Sequence, residues 1–495
     1  MNVITIEADQ LSAKWVGCYG FAAAHTPNID ALARRGVRFA NAFTNHPVCM
    51  PARASTITGR SAQHHGVFYN GWELGTDIAT FPQLLQKAGV QTFGVGKYHL
   101  ECHSRGAYND VRKYGFDRAE TTEDIRAGDW LDWVEREHPD CAEAALATVW
   151  PMEHLSSYGP SGRNLRQEVL AARAKLGVGG GATHPYLSPV PEKACQTRWV
   201  GDRAIVMLAE RDSSHPFFLK MSFVDPHDPY DPPARFVDRI DESQIPAPIR
   251  TEDPGVQGLI ERLRTNRFVG NHSHLTNAQW TALRKHYLAS LAFLDEQVGR
   301  LVDYLERAGL ADDTAILFFS DHGDMMGDHG LPTKGSWHFD ACCRVPMILA
   351  LPGGEEQGRV VEQTVTNLDV FPTVLELAGV HCSVPIEGDS LLPLAHGETL
   401  DRPDAALIET YGSYGDEYGP FRARSVVTPD ARLTRFEDGH GLLFDLTDDP
   451  DETVDLYDHA QARDLQCGLE RTMLDLITRQ YHNLPLRHKH PIGGH

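Results

Sequence analysis

No run of apolar residues in this 495-residue chain is long enough to span a bilayer, which excludes a helical membrane protein. Basic residues are also scarce: 46 Lys and Arg face 68 Asp and Glu, a net charge of −22. That balance argues against nucleic acid and anionic membrane as partners, while leaving room for a local basic pocket that binds an anion. The nine cysteines form no CxxC pair, so neither a zinc ribbon nor a redox motif is expected. Their odd number and wide spacing suit buried thiols in a reducing compartment. The start, MNVITIEADQ, lacks the charged and apolar regions of a signal peptide, so a cytoplasmic protein is expected. Internal repeats are absent as well.

What is there is an alternation. Short β-rich runs such as NVITIEA, GVQTFGVG, PFFLKMSFV and TAILFFS are separated by segments with helical spacing. The clearest helix carries Leu283, Tyr287, Leu291, Leu294, Val298, Leu301 and Leu305 at intervals of three or four. Thr26 and Pro27 open another, and a strand is expected from about Arg38 to Thr44. The fold class is therefore α/β: a large, mostly parallel sheet sandwiched by helices. Residues 1–400 are expected to form this catalytic part, with an insertion at about 117–191 that is rich in charge, Gly and Pro. Residues 401–495 are expected to form a smaller α+β domain with four short strands, a helix near Ala460–Tyr481, and a tail, PLRHKHPIGGH, packed on the domain or on a second copy.

In such sheets, ligands bind beyond the carboxyl ends of the strands. That rule selects Asp9 and Gln10, Cys49, Lys97 and His99, Asp225 and His227, and Asp321 and His322, all just past an expected strand. Asp9, Gln10, Asp321 and His322 make an oxygen-rich set with one imidazole, suited to a divalent cation other than zinc. Lys97 and His99 are expected on one side of an extended segment. Asp328 and His329 are expected to order their loop, and Lys334 follows in LPTKGSW.

Cys49 lies in NHPVCMPARASTITGR. Pro51 suits the first turn of a helix, which puts Cys49 at an N-terminal end where free N–H groups and the helix dipole favour an anion. Arg53, one turn on, adds a fixed positive charge with planar donors. The pattern is a nucleophile beside an anion site.

These pieces, ADQ, TPNIDALARRGVRFANAF, CMPARASTITGR, GVGKYHL, DPHDPY, FFSDHGDMMGDHGL, RVPMILALPG and DVFPTVLELAG, resemble the type I sulfatases of the alkaline phosphatase superfamily. They run in family order through most of residues 1–400. The resemblance implies hydrolysis of a sulfate monoester, with Cys49 converted to formylglycine by a separate formylglycine-generating enzyme. It implies that Asp9, Gln10, Asp321, His322 and residue 49 hold one metal ion. Arg53 would hold the hydrated aldehyde, Lys97, Lys334 and His227 the sulfate, and His227 or Lys334 would protonate the leaving alcohol. His99 would take the proton that expels sulfate.

Two positions depart from the commonest family pattern. Calcium is the expected ion, but Gln10 and His322 stand where a second carboxylate and an amide are usual, and fewer carboxylates with one imidazole tilt the site toward the alternative, manganese. The same departures occur in the branch resembling phosphonate monoester hydrolases and choline sulfatases, which makes a phosphonate monoester or phosphodiester the alternative substrate. Otherwise the expected partner is a small-molecule or saccharide sulfate ester. Tyr108, Arg112, His184, Tyr186, Tyr230 and Arg235 are candidates for its entrance.

Overall fold

The computed structural model describes residues 1–103, 106–159, 161–179, 181–264, 271–354, 357–412 and 422–482. Its strands are β1 Asn2–Ala8, β2 Val37–Phe39, β3 Ala42–Phe43, β4 Gln91–Gly96, β5 Arg118–Thr121, β6 Phe217–Ser222 and β7 Thr314–Ser320. They continue as β8 Met347–Ala350, β9 Arg359–Val361, β10 Val365–Thr366, β11 Ala406–Tyr411, β12 Arg422–Val427, β13 Ala431–Phe436 and β14 Gly441–Asp445. Eight form the main sheet in the order β5-β4-β6-β1-β7-β8-β2-β9. The first five of these are mutually parallel, so five carboxyl ends lie side by side. β8 runs antiparallel to both β7 and β2.

Both faces of the sheet are covered, which is why the central strands read as almost unbroken apolar runs. Along β1, Ile4 and Ile6 join the core on one face while Val3 joins the other. In β7, Ile316 and Phe318 divide from Ala315, Leu317 and Phe319 in the same way. Helix α1 Pro27–Arg35 and the helices Gln196–Ala209 and Asn277–Arg307 cover the first face. Helix α2 Cys49–Thr58 and the helices Phe81–Lys87 and Val370–Leu377 cover the second. Capping boxes at Thr80 with Gln83 and at Thr276 with Gln279 start two of them.

Two expectations need correction. The segment Arg38–Thr44 is not one strand: β2 ends at Phe39, and β3 leaves the main sheet to pair with β10. The break follows Asn41, whose side chain donates to Glu362 O at 2.7 Å and whose carbonyl accepts from Val365. Arg118–Thr121, assigned to the insertion, is β5, the sheet's edge strand. Its sequence, RAET, is too short and too charged to show strand periodicity, and an edge position tolerates that.

The four strands β11 to β14 form a separate antiparallel sheet in chain order. One face, including Leu433 and Leu443, packs on Leu469 and Met473 of the helix Arg463–His482. The other shares a core with Phe43, Met325, Trp337 and Phe339 of the larger part. The tail PLRHKHPIGGH lies outside the described residues. Among the described residues, no helix is long and apolar enough to cross a membrane.

Candidate active site

Five strand ends supply the site. β1 and β7 are paired through Ala8 and Ser320, so Asp9, Gln10, Asp321 and His322 emerge together. Gln10 turns into a left-handed conformation (φ 66°), and its N–H donates to Asp321 Oδ1 at 3.0 Å. The N–H of His322 donates to the same oxygen at 2.8 Å. Cys49 begins α2, as the Pro51 argument requires, and is fully buried. Its Sγ lies 3.1 Å from His322 Nε2 and 3.8 Å from Asp9 Oδ1. One ligand atom from each of Asp9, Cys49, Asp321 and His322 falls within 4.8 Å of all the others.

This set can receive a divalent cation. His322 Nδ1 is 2.9 Å from the carbonyl of Gly323, an acceptor only, so Nδ1 carries the proton and Nε2 presents a lone pair to the centre. Burial, opposed by Asp321, drops the His322 pKa to about 4, which keeps the ring neutral as a ligand must be. Gln10 sits beside the four, but its Oε1 accepts from Lys334 Nζ at 2.5 Å. Its Nε2 donates to Asp324 Oδ2 at 2.5 Å.

Arg53 lies one turn beyond Cys49 on the same helix. Its Nε donates to Asp321 Oδ2 at 2.8 Å, and its Nη1 to Ser222 Oγ at 2.9 Å and to the carbonyl of Lys97 at 3.1 Å. Nη2 is buried without a hydrogen-bond partner among the described residues, 3.7 Å from Asp9 Oδ2. A buried orphan donor on a guanidinium is costly and suits a site that receives an acceptor.

Lys97 follows Gly96, whose φ of 104° and close approach to Ser222 O leave no room for a side chain. Its ammonium is wholly buried and bonds both Asp9 and Asp124. Burial disfavours that charge, yet Asp124 and Asp9 outweigh it and raise the Lys97 pKa well above the usual lysine value. Burial likewise raises Asp9, but Lys97, His227 and Arg53 overcome it and hold Asp9 ionised below the usual carboxylate range.

His99 is not on an extended segment. The strand has ended, and His99 takes a φ of 46° as the chain turns, its N–H donating to Glu123 Oε1 at 3.0 Å. Its ring stacks on His103 with centroids 3.9 Å apart, and its buried Nδ1 has no hydrogen-bond partner among the described residues. Burial, then His103 and Lys97, push its pKa well below the usual histidine value, so the ring is a neutral base. His227 directs Nδ1 to the carbonyl of Asp228 at 2.9 Å and Nε2 to Lys334, whose ammonium touches both His227 and Gln10.

Asp225, grouped with His227 by its place after β6, instead turns its carboxylate to Thr197. Asp328 and His329 stay out of the centre: Asp328 pairs with Lys14 and Arg284, and His329 stacks on Phe339. Among the entrance candidates, Tyr230 is no rim residue; it is wholly buried and donates to Asp324 at 2.6 Å. Arg235 is tied to Glu192 and Glu296, Arg112 to Asp110, and Tyr108 to Asp132. His184 lies beside Thr183, and Tyr186 near Asp231 and Arg126.

Sequence reasoning missed Asp124, Asp324 and Glu123. Asp124 and Glu123 lie in ETTEDIRAGD, a charge-rich stretch with no motif, and only the pairing of β5 with β4 brings it to the site. Asp324 was legible as the second acid of SDHGD, two residues past His322.

A family model described as "Sulfatase" matches residues 1–380, and one described as "N-sulphoglucosamine sulphohydrolase, C-terminal" matches residues 327–479. The chain is similar to an arylsulfatase of Clostridium perfringens, 29% identical over 94% of this chain and 91% of the relative. It is similar to a choline-sulfatase of Rhizobium meliloti, 30% identical over 82% of this chain and 73% of the relative. Its fold is similar to the crystal structure of the phosphonate monoester hydrolase of Agrobacterium radiobacter, with a TM-score of 0.81 at 25% identity, covering 97% and 96% of the two chains.

Proposed function

Since the chain belongs to the sulfatase family, as a type I sulfatase of the alkaline phosphatase superfamily, we propose a role for each residue of its site. The protein is a sulfuric ester hydrolase, which splits sulfate monoesters into an alcohol and inorganic sulfate. Its substrate in our reading is a small-molecule or saccharide sulfate ester.

Residue 49 is the nucleophile after a formylglycine-generating enzyme has converted Cys49, reading Pro51 and Arg53 as its signal. The unmodified thiol is a poor nucleophile, because burial, only partly offset by Lys334 and Lys97, pushes its pKa up to about 12. The hydrated aldehyde carries two hydroxyls on one carbon. One hydroxyl gives its proton to solvent and its oxygen bonds to sulfur while the bond from sulfur to the alcohol oxygen breaks, and His227 or Lys334 gives that oxygen a proton. His99 then takes the proton of the second hydroxyl. The carbonyl reforms, the carbon–oxygen bond to sulfate breaks, sulfate leaves, and water restores the hydrate. Arg53 Nη2 is the free donor that would hold a residue-49 oxygen, and Lys97 and Lys334 would neutralise sulfate oxygens.

Asp9, Gln10, Asp321, His322 and residue 49 would hold one divalent ion, and Lys334 must release Gln10 Oε1 for that set to close. When bound, the ion supplies Lewis acidity that favours the ionised hydroxyl. Calcium fits the oxygen donors, and manganese is the alternative favoured by the neutral imidazole.

The observation that carries this reading is the convergence of Asp9, Cys49, Asp321 and His322 around one point, with the orphan Nη2 of Arg53 beside it. Co-expression with the modifying enzyme, mass spectrometry of the peptide containing residue 49, and assay on an aryl sulfate and an aryl phosphonate test it. We expect the aldehyde mass and the higher kcat/KM on the sulfate. A much higher kcat/KM on the phosphonate would move the assignment to the second reading, a phosphonate monoester or phosphodiester hydrolase, which the likeness to the Agrobacterium enzyme supports. Unmodified cysteine in an active enzyme would overturn the aldehyde chemistry.

A further inference from the structure

An exposed aromatic group ends a turn that is bonded to Met50, the residue next to Cys49. Trp72 is 55% exposed, yet its backbone is closely held. The residues Tyr69-Asn70-Gly71-Trp72 form a tight turn closed by the Trp72 N–H on the Tyr69 carbonyl at 3.2 Å, with Gly71 at a φ of 105°. That conformation is open to glycine and strained for other residues.

The turn bridges the two sides of the reaction centre. On one side, Asn70 Oδ1 accepts from the N–H of Met50, the residue next to the nucleophile, at 3.0 Å. The N–H of Gly71 lies 3.0 Å from Met50 Sδ. On the other side, the N–H of Leu74 donates to the carbonyl of Leu100, the residue after His99, at 3.0 Å. Trp72 thus lies on the segment that ties Met50, next to residue 49, to Leu100, next to His99.

The indole also has backing. Phe68 meets it edge-on with centroids 5.4 Å apart, and Phe68 in turn meets Tyr411, at the end of β11, at 5.0 Å. The Phe68 carbonyl is 3.2 Å from His46 Nε2, and β11 is tied to the same nucleophile loop by the Glu409 N–H on the Asn45 carbonyl at 3.0 Å. A supported and exposed indole on a segment tied to both Met50 and Leu100 has the form of a binding platform.

We infer that Trp72, backed by Phe68 and Tyr411, is the subsite for the alcohol portion of the ester and selects alcohols with a flat apolar face, an aromatic ring or the face of a sugar ring. This rests on the sulfatase reading and narrows its substrate class. Trp72 touches the leaving group rather than the sulfate, so it acts on binding more than on the chemical step.

The test compares the modified enzyme with Trp72→Ala and Trp72→Phe on three esters: an aryl sulfate, a monosaccharide 6-sulfate and a short linear alkyl sulfate. Loss of one aromatic contact should lower kcat/KM for the flat-faced substrate by about fivefold to tenfold relative to the alkyl ester, mainly through KM. Trp72→Phe should restore most of that loss. Whichever of the aryl and sugar arms carries the loss identifies the source of the flat face. Equal losses on all three esters, or none, would overturn the subsite and leave the sulfatase reading standing. A parent enzyme inert on every ester would overturn both.

Discussion

Cys49 Sγ and His322 Nε2 stand 3.1 Å apart although 273 positions separate them in the chain. The contact joins the start of α2 to the end of β7. It puts the thiol against a neutral ring nitrogen, the ring's proton being held on Nδ1 by the Gly323 carbonyl. That centre and the charges packed around it set what each substitution should do.

Cys49→Ala should lower turnover by roughly four orders of magnitude or more, as loss of a nucleophile does. The thermal midpoint should stay within a few degrees of the parent, because only one sulfur atom is removed from the core. Cys49→Ser should either fail to turn over or accumulate a sulfated enzyme, seen as a mass increase. Rapid steady-state turnover by the serine variant would show that the second hydroxyl is unnecessary.

Removal of metal by a chelator should abolish activity, and manganese and calcium should be compared in restoring it. His322→Asn exchanges an imidazole for an oxygen donor and should shift the restored activity toward calcium. Metal content of the purified variants, read by elemental mass spectrometry, checks the same point without an assay. An unchanged preference would mean that His322 does not select the ion.

His227→Ala should cost more on esters whose alcohol is a poor leaving group than on nitrophenyl esters, because only the former need a proton as the bond breaks. The ratio of kcat/KM values for the two substrates measures this. Equal losses would leave Lys334 as the donor.

Asp225 gives the pH prediction. Burial, only partly relieved by Thr197, raises its pKa to about 7 in the folded protein, against about 3.9 for a free carboxyl. The folded state therefore keeps a proton that the unfolded chain has lost, and stability falls as pH rises between those two values. Asp225→Asn retains an acceptor for Thr197 and removes the ionisation. Its thermal midpoint should exceed the parent's by a margin that grows from about pH 4 to about pH 7 and then levels off. A constant margin would mean that Asp225 is ionised throughout.

Much of the architecture was written locally. β1, β4, β6 and β7 are apolar runs with polar residues at their carboxyl ends, and one rule about parallel sheets was enough to gather Asp9, Lys97, His227 and Asp321, whereas Cys49 arrives at the start of α2. The misses share a physical origin. RAET carries no periodicity because an edge strand needs none, so Asp124 beyond it could not be placed. His99 departs from an extended path because the sheet has ended and Glu123, itself unplaced, catches its N–H. Tyr230 reads as a loop aromatic, yet the carboxylate of Asp324 gives its hydroxyl a buried partner, which only the folded chain reveals. Contacts made across such distances along the chain leave no trace in spacing.

Phe43, Met325, Trp337 and Phe339 share one apolar cluster with Ala406, Ile408, Phe436 and Phe444. Phe43 lies six residues before Cys49, and Met325 three after His322. A chain stopped before residue 406 would turn that cluster out to water on the flank of its own reaction centre. The short antiparallel sheet therefore serves as an outer wall of the catalytic half, and a lesion in β11 or β14 should weaken the enzyme even though it touches no reacting group.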